Sequence, residues 1–197
     1  MSNKKAFIII DLQNDYLWDR RKSVFTYDTE KLIGNVNKSI ASYSEKGYDI
    51  IYIKHILPKL LWGIGFSIKG TEGAKLYDGL NIVSNLCFEK NRSDSYTSKA
   101  FREHMERCKY SEVVLAGLDE CGCVGATAKG AAKTGVKVKM LGECIVSRFP
   151  KKKVQKIYGN RPHSSRLIPG HKVLRKPIVC RHQNRPDHPA DPDHLCH

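Results

Sequence analysis

The chain has 197 residues, of which 41% are hydrophobic, and its 34 lysines and arginines outnumber its 20 aspartates and glutamates. This length suits one domain with an ordinary buried core and leaves too little chain for a second full domain. Its apolar runs are far shorter than the ~18 to 20 residues of a membrane-spanning helix, and they show no export signal, so we expect a cytoplasmic protein without a membrane partner.

Neither the charge nor the cysteines indicate a special class of protein. The basic residues are scattered over residues 1–160, with only short runs such as Lys151, Lys152 and Lys153, and no nucleic-acid-binding motif accompanies them. We therefore expect no specific nucleic-acid partner. The seven cysteines are irregularly spaced, which favours thiols over a disulfide framework.

Strand and helix patterns alternate over the first 148 residues. Continuous apolar runs such as residues 6–10 are typical of strands buried on both faces. In chain order, the predicted elements are a strand over 6–10, a helix over 29–46, strands over 49–53 and 82–89, a helix over 99–107, a strand over 112–116, a helix over 124–133 and a strand over 136–141. Strands separated by helices indicate a three-layer α/β/α domain with a mostly parallel sheet of five to six strands.

The composition changes after residue 160. Six of the eight histidines and six of the eight prolines lie in residues 161–197. We therefore assign residues 1–160 to the folded domain, and we expect residues 161–197 to be a poorly ordered basic tail or the product of a shifted reading frame. The cysteines, histidines and aspartates of this segment match no zinc template, and we predict no metal site.

Three polar residues follow predicted strands. Asp11 ends the first strand, Lys90 lies just past the third, and Cys123 lies between the fourth strand and the next helix. The carboxyl ends of parallel strands meet at one edge of the sheet, so a carboxylate, an ammonium and a thiol would converge there. Asp11 could take the thiol proton, while Lys90 and the helix N-terminus would favour the nucleophilic thiolate. Each residue alone also has an ordinary explanation, as a turn former, a surface lysine or a packing cysteine.

Four short motifs follow one another between residues 5 and 148. They are FIIIDLQNDY at 7–16, GTEGA at 70–74, Lys90 followed by SYT at 95–97, and AGLDECGCVGATA at 116–128. In sequence and in order they resemble the motifs of the isochorismatase-like cysteine hydrolases, a family that includes nicotinamidases, carbamoylsarcosine amidases and ureidoacrylate amidases. The last motif resembles the nucleophile loop of that family, in which a glycine lies six residues before a Cys-Val pair.

This resemblance implies a catalytic triad. Asp11, Lys90 and Cys123 would be its members, with Cys123 attacking a small amide or related acyl carbon. The backbone N–H groups of Asp119 and Cys123 would hold the oxyanion, and the family's usual cis peptide bond would fall between Leu118 and Asp119.

Further site residues are implied with less support from the motifs. Gln13, Tyr16, His55 and Trp62 are candidates for lining the substrate pocket. Cys121 is a rival nucleophile, although the position of the motif's glycine favours the cysteine at 123. The resemblance also implies a homo-oligomer that acts on a small molecule without a cofactor.

The chain departs from the nicotinamidases after the second strand. Those enzymes carry an Asp-x-His motif and a further histidine there, which bind a metal beside the substrate ring, whereas residues 54–58 read KHILP. Only His55 remains, which counts against nicotinamide as the substrate. The leading hypothesis is a cysteine hydrolase of a small amide, imide or ureido C–N bond. The alternatives are an isochorismate-type vinyl ether hydrolase and a catalytically silent member that acts as a binding protein.

Overall fold

The computed structural model describes residues 4–61 and 65–148. These residues form five strands and four α-helices, besides short turns of 3₁₀- or π-helix. The elements are β1 (Lys5–Ile10), α1 (Asn14–Leu17), α2 (Thr29–Glu45), β2 (Asp49–His55), β3 (Cys87–Lys90), α3 (Lys99–Cys108), β4 (Glu112–Leu118), α4 (Gly125–Lys133) and β5 (Lys137–Val146). Trp62 and the segment 161–197 lie outside the described residues, and so does the predicted domain boundary at residue 160.

The five strands form one sheet in the order β3-β2-β1-β4-β5, and every pairing is parallel. β1 lies at its centre, and its apolar run is fully buried because each face of the strand enters a different core. Ile8 and Ile10 pack in the core beneath α3 and α4, whereas Phe7 and Ile9 pack in the core beneath α2. The fold is therefore the predicted three-layer α/β/α domain.

Helix α2 illustrates how the sequence defines an element locally. The carboxylate of Asp28 accepts a hydrogen bond from Lys31 N at 3.0 Å and so caps the helix N-terminus. Leu32, Val36 and Ile40 recur at helical spacing and are buried against the sheet. None of the helices in residues 4–61 and 65–148 combines the length and the apolar character that a membrane crossing requires.

Two predicted strands differ from the observed ones by more than two residues at one end. β3 begins at Cys87 rather than at residue 82, because the chain before it is tied to the sheet through a side chain. The Tyr52 hydroxyl donates to Asn81 O at 2.8 Å and accepts from Val83 N at 3.1 Å, which leaves Ile82 half exposed. β5 continues to Val146 instead of residue 141, because a register shift opposite the end of β4 lets the ladder resume.

Candidate active site

The carboxyl ends of three strands bring together the acid, the ammonium and the thiol that the sequence singled out. Asp11 follows β1 in a left-handed conformation with a φ of 56°, and Lys90 is the last residue of β3. Lys90 Nζ lies 2.8 Å from Asp11 Oδ2, and both side chains are almost fully buried. The Cys123 sulfur lies within 4.8 Å of the Asp11 carboxylate and of the His55 ring, so residues more than one hundred positions apart meet at one point.

The ion pair of Asp11 and Lys90 is held in a site from which water is largely excluded. Burial lowers the pKa of Lys90, but the negative charge of Asp11 and its hydrogen bond to the ammonium oppose this effect, and the net shift is upward, so the side chain remains an ammonium. The second oxygen of the carboxylate, Asp11 Oδ1, is buried and accepts no hydrogen bond from a nitrogen or oxygen donor among the described residues. An open acceptor therefore faces a site that contains a thiol.

The Cys123 thiol is protonated at rest. Burial raises its pKa to about 12, the negative charge of Asp11 adds to that rise, and the ammonium of Lys90 only partly opposes it. Lys90 thus favours the thiolate, but removal from water has the larger effect on the pKa of Cys123. The thiolate can form only as a base takes the proton, and Asp11 is within hydrogen-bonding reach of the thiol.

The turn after β4 places Cys123 beside Asp11. Gly117 has a φ of 112°, and a Cβ at this position would overlap the carbonyl oxygen of Ile10. Only glycine allows the two strand ends to approach so closely. The peptide bond between Leu118 and Asp119 is cis, at the position that the family resemblance implied.

The loop that carries the thiol is closed by hydrogen bonds to a single carbonyl. Asp119 O accepts from Gly122 N at 2.9 Å and from Val124 N at 3.1 Å. Residues 120–124 form a π-helical turn, in which Gly122 departs from helical geometry before α4 begins. Cys123 thus lies at the entry to a helix, where backbone N–H groups are available to a developing negative charge.

Comparison with known proteins identifies the family. A sequence model described as the isochorismatase domain matches residues 5–163, which is most of the chain. The chain belongs to the isochorismatase family. An uncharacterised isochorismatase family protein of Bacillus subtilis, YrdC, is 28% identical over 155 residues, which cover 75% of this chain and 76% of the relative.

Solved structures show the same fold. The N-carbamoylsarcosine amidase of Thermoplasma acidophilum is 23% identical with a TM-score of 0.63, and the alignment covers 79% of this chain and 93% of that one. The nicotinamidase of Bacillus subtilis is 21% identical with a TM-score of 0.64, over 80% of this chain and 95% of that one. An isochorismatase-like hydrolase of Alkaliphilus metalliredigens is 20% identical with a TM-score of 0.67, over 78% of this chain and 80% of that one.

Of the predicted pocket residues, His55 and Tyr16 lie next to the cluster of Asp11, Lys90 and Cys123 in this isochorismatase-family protein. His55 Nδ1 is 3.3 Å from Lys90 Nζ, and burial together with the charge of Lys90 lowers the pKa of His55. The imidazole is therefore neutral, and because an ammonium can only donate, the ring proton lies on Nε2. Burial raises the pKa of Tyr16, and the negative charge of the nearby Asp11 adds to that rise. Both side chains can offer a hydrogen-bond donor to a substrate.

Gln13 occupies a different position in the structure. Its amide nitrogen donates to His55 O at 3.0 Å and to Ala74 O at 2.8 Å, and its amide oxygen accepts from His55 N at 2.7 Å. The side chain is fully buried, and these contacts tie the end of β2 to the GTEGA turn. Gln13 therefore holds His55 in place through its backbone.

The last residues of β2 do not fit a nicotinamidase-type metal site. Lys54 pairs with Glu89 at 3.1 Å, and His55 faces the Lys90 ammonium. Asp11, His55 and Cys123 are grouped closely enough to hold an ion, but Lys90 already brings a positive charge to Asp11 and His55. A metal ion there would be repelled by this ammonium.

Two carboxylates that hold loops around the site, those of Asp15 and Asp119, were not singled out in the sequence analysis. The buried carboxylate of Asp15 accepts from Ser67 N at 2.8 Å and pairs with Arg21 at 3.2 Å, and a Cβ on Gly73 would overlap it. The second glycine of the GTEGA turn was the available signal, since it marks a close approach of backbone to another group. The other carboxylate is that of Asp119, which accepts from Cys121 N at 3.0 Å.

Proposed function

We propose that this isochorismatase-family protein is a cysteine hydrolase that cleaves a small amide, imide or ureido C–N bond through Cys123. The observation that carries the proposal is the buried Asp11–Lys90 ion pair, with one carboxylate oxygen open and a thiol within reach. The solved structures that share the fold include two proteins whose names denote amidases, which supports C–N bonds over other targets.

The first half of the reaction forms a thioester. Asp11 takes the proton from Cys123 as the sulfur attacks the substrate carbonyl, and the Lys90 ammonium stabilises the thiolate while it forms. The resulting oxyanion is held by the backbone N–H groups of Asp119 and Cys123. When the tetrahedral intermediate collapses, the C–N bond breaks and the leaving nitrogen receives the proton from Asp11.

The second half returns the enzyme to its starting state. Asp11, again a carboxylate, takes a proton from a water molecule that attacks the thioester carbonyl. The same two N–H groups hold the second oxyanion, and collapse expels the thiolate, which recovers its proton from Asp11. The products are a carboxylic or carbamic acid and the released nitrogen compound, which is ammonia, an amine or, from an imide, an amide. The neutral His55 and the Tyr16 phenol are proposed to orient the substrate by donating hydrogen bonds.

The test is ammonia release from a panel of small amides, ureido acids and nicotinamide. Native protein should turn over at least one member, and Cys123→Ala should abolish that turnover. Cys121→Ala is the matched control, because it removes the rival thiol two residues away and should retain most activity. Loss of activity in Cys121→Ala alone would reassign the nucleophile. Turnover of none of these compounds by native protein would favour a silent family member and contradict the proposal.

A further inference from the structure

The carboxylate of Asp119 joins two segments of the chain at the nucleophile loop. Its Oδ1 accepts from Cys121 N at 3.0 Å and from the Ser147 hydroxyl at 2.8 Å. Its Oδ2 accepts from Arg148 N at 3.1 Å and lies 3.6 Å from Arg148 Nε. The Asp119 side chain is only 14% exposed. Its bonds to Cys121 and Ser147 are partly buried and therefore strengthened, whereas its contacts with Arg148 lie at the exposed surface.

A simple helix cap does not account for this arrangement. A capping aspartate needs one oxygen to accept one backbone N–H of the first turn, as Asp28 does at the start of α2. The Asp119 carboxylate makes that contact with Cys121. It also accepts hydrogen bonds from Ser147 and Arg148, the residues that follow β5. The nucleophile loop is thus fastened to the neighbouring strand end as well as to its own helix.

The same residue also controls the loop through its backbone. Asp119 O accepts from Gly122 N and Val124 N, and Asp119 N–H is one of the two donors that the proposed mechanism aims at the oxyanion. The N–H and the carbonyl of Asp119 belong to two peptide planes that meet at its Cα. Bonds that hold both the carboxylate and the carbonyl therefore restrain the rotations that would turn the N–H away. An oxyanion donor must lie within about 2.7–3.1 Å of the developing charge to be effective, which makes this restraint important for rate.

We infer that the Asp119 carboxylate is a positioning residue, which holds the oxyanion loop in its working geometry by anchoring it to Ser147 and Arg148. This inference rests on the proposed cysteine hydrolase function for its effect on rate. It does not rest on that function for its effect on the loop, because the anchoring is a property of the folded chain.

The experiment compares Asp119→Ala and Asp119→Asn with Asp28→Ala, which removes the ordinary cap of α2. Amide hydrogen exchange over residues 120–124 should become at least ~10-fold faster in Asp119→Ala and remain at the native rate in Asp28→Ala. Asp119→Asn should give an intermediate rate, because its amide oxygen still accepts from Cys121 and Ser147 while the bonds to Arg148 are lost. Native exchange at residues 120–124 in both Asp119 variants would overturn the inference.

Two kinetic measurements separate positioning from general damage to the site. On whichever amide the native protein hydrolyses, kcat should fall about 10- to 100-fold in Asp119→Ala while KM stays within about threefold. Alkylation of Cys123 by iodoacetamide should stay within about threefold of native, because that displacement creates no oxyanion. Equal losses of turnover and alkylation would contradict the inference. If the native protein hydrolyses nothing, the proposed function fails, and the exchange rates alone decide the inference.

Discussion

An aspartate, a histidine and a cysteine cluster at each end of the same sheet. At the carboxyl end, Asp11 and Cys123 lie within 4.8 Å of a ring nitrogen of His55. At the amino end, the Tyr110 hydroxyl donates to Asp49 at 2.6 Å and lies 3.0 Å from His104 Nε2, and Cys108 Sγ lies 3.7 Å from that same nitrogen. The residue types match, but the two clusters have different capacities for chemistry.

The difference lies in which polar groups are already bonded. In the amino-end cluster the phenol of Tyr110 bridges the carboxylate and the imidazole, so each of these groups already has a hydrogen-bond partner within the cluster. In the carboxyl-end cluster an ammonium is present, one oxygen of Asp11 is buried without such a bond, and the thiol is proposed to use that oxygen. A reactive constellation therefore needs an unsatisfied acceptor at the end of the sheet where ligands bind, in addition to the residue types.

The two ends of the sheet should differ most in how they tolerate replacement of a glycine by alanine. Gly117→Ala would place a Cβ against Ile10 O at a positive φ, and we expect a loss of at least ~4 kcal/mol in the free energy of unfolding. Gly135 precedes β5 at the amino end, also with a positive φ but with open space around it. Gly135→Ala should cost only about 1 kcal/mol. Urea unfolding of both variants measures the contrast, and equal costs would show that the close approach at Gly117 is unimportant.

The two aspartates should differ most in activity. Asp11→Asn keeps an acceptor for Lys90 but removes the base, so turnover on an amide substrate should fall about 10²- to 10⁴-fold. Asp49→Asn keeps an acceptor for the Tyr110 hydroxyl and lies at the other end of the sheet, so turnover should stay within about twofold. Steady-state kinetics on folded protein decide the matter. A comparable loss in Asp49→Asn would mean that the amino-end cluster belongs to the active site.

Tyr110 and Tyr16 should differ in what their replacement affects: Tyr110 should matter for stability and Tyr16 for activity. Tyr110→Phe removes the bridge between Asp49 and His104 and should cost about 1–3 kcal/mol in unfolding free energy, with turnover near native. Tyr16→Phe removes a proposed substrate donor and should lower kcat/KM about 10-fold, with a stability change below about 1 kcal/mol. Denaturant titration and kinetics on both variants test this, and it fails if Tyr110→Phe is the less active of the two.

The smallest effect concerns alkaline stability. The folded state raises the pKa of Cys123 from 9.0 to about 12, so between these values the unfolded chain releases a proton that the folded protein keeps. The contribution of the thiol to stability is complete below pH 9 and declines as the pH rises toward 12. Cys123→Ala should therefore lose stability less steeply than native protein over this range, by at most ~1.4 kcal/mol per pH unit. Unfolding at pH 8.5 to 10.5 measures the slopes, with Cys108→Ala as control, and identical slopes in native protein and Cys123→Ala would contradict the raised pKa.

The central strands could be predicted from sequence because burial on both faces leaves a continuous apolar run. β1 and β4 are such strands, and their ends were placed within two residues. The start of β3 was predicted five residues too early because Ile82 and Val83 are apolar, yet they lie in an extended segment that the Tyr52 hydroxyl tethers from thirty residues away. A pattern of apolar residues predicts a strand, but it contains no information about a hydrogen bond from a side chain so far away in the sequence.

In the candidate site, too, the sequence predicted what depends on strand order and missed what depends on distant contacts and burial. That Asp11, Lys90 and Cys123 would meet follows from topology, since parallel strands end at one edge. The protonated state of Cys123 did not follow, because it depends on how completely water is excluded. The anchoring by Asp119 did not follow either, because its partners lie almost thirty residues away, at Ser147 and Arg148, and only the finished sheet brings them together.

The central position of β1 has a consequence for synthesis of the chain. β1 is made first of the five strands, but one of its two neighbours, β4, ends only at Leu118. At roughly 5–20 residues per second, translation of the intervening stretch takes on the order of 5–20 s. During that time the run Phe7–Ile10, which the finished sheet buries completely, has at most one edge paired. A nascent chain of this topology therefore exposes its most apolar strand for the longest time. We expect a ribosome-associated chaperone to bind that strand until β4 has been made.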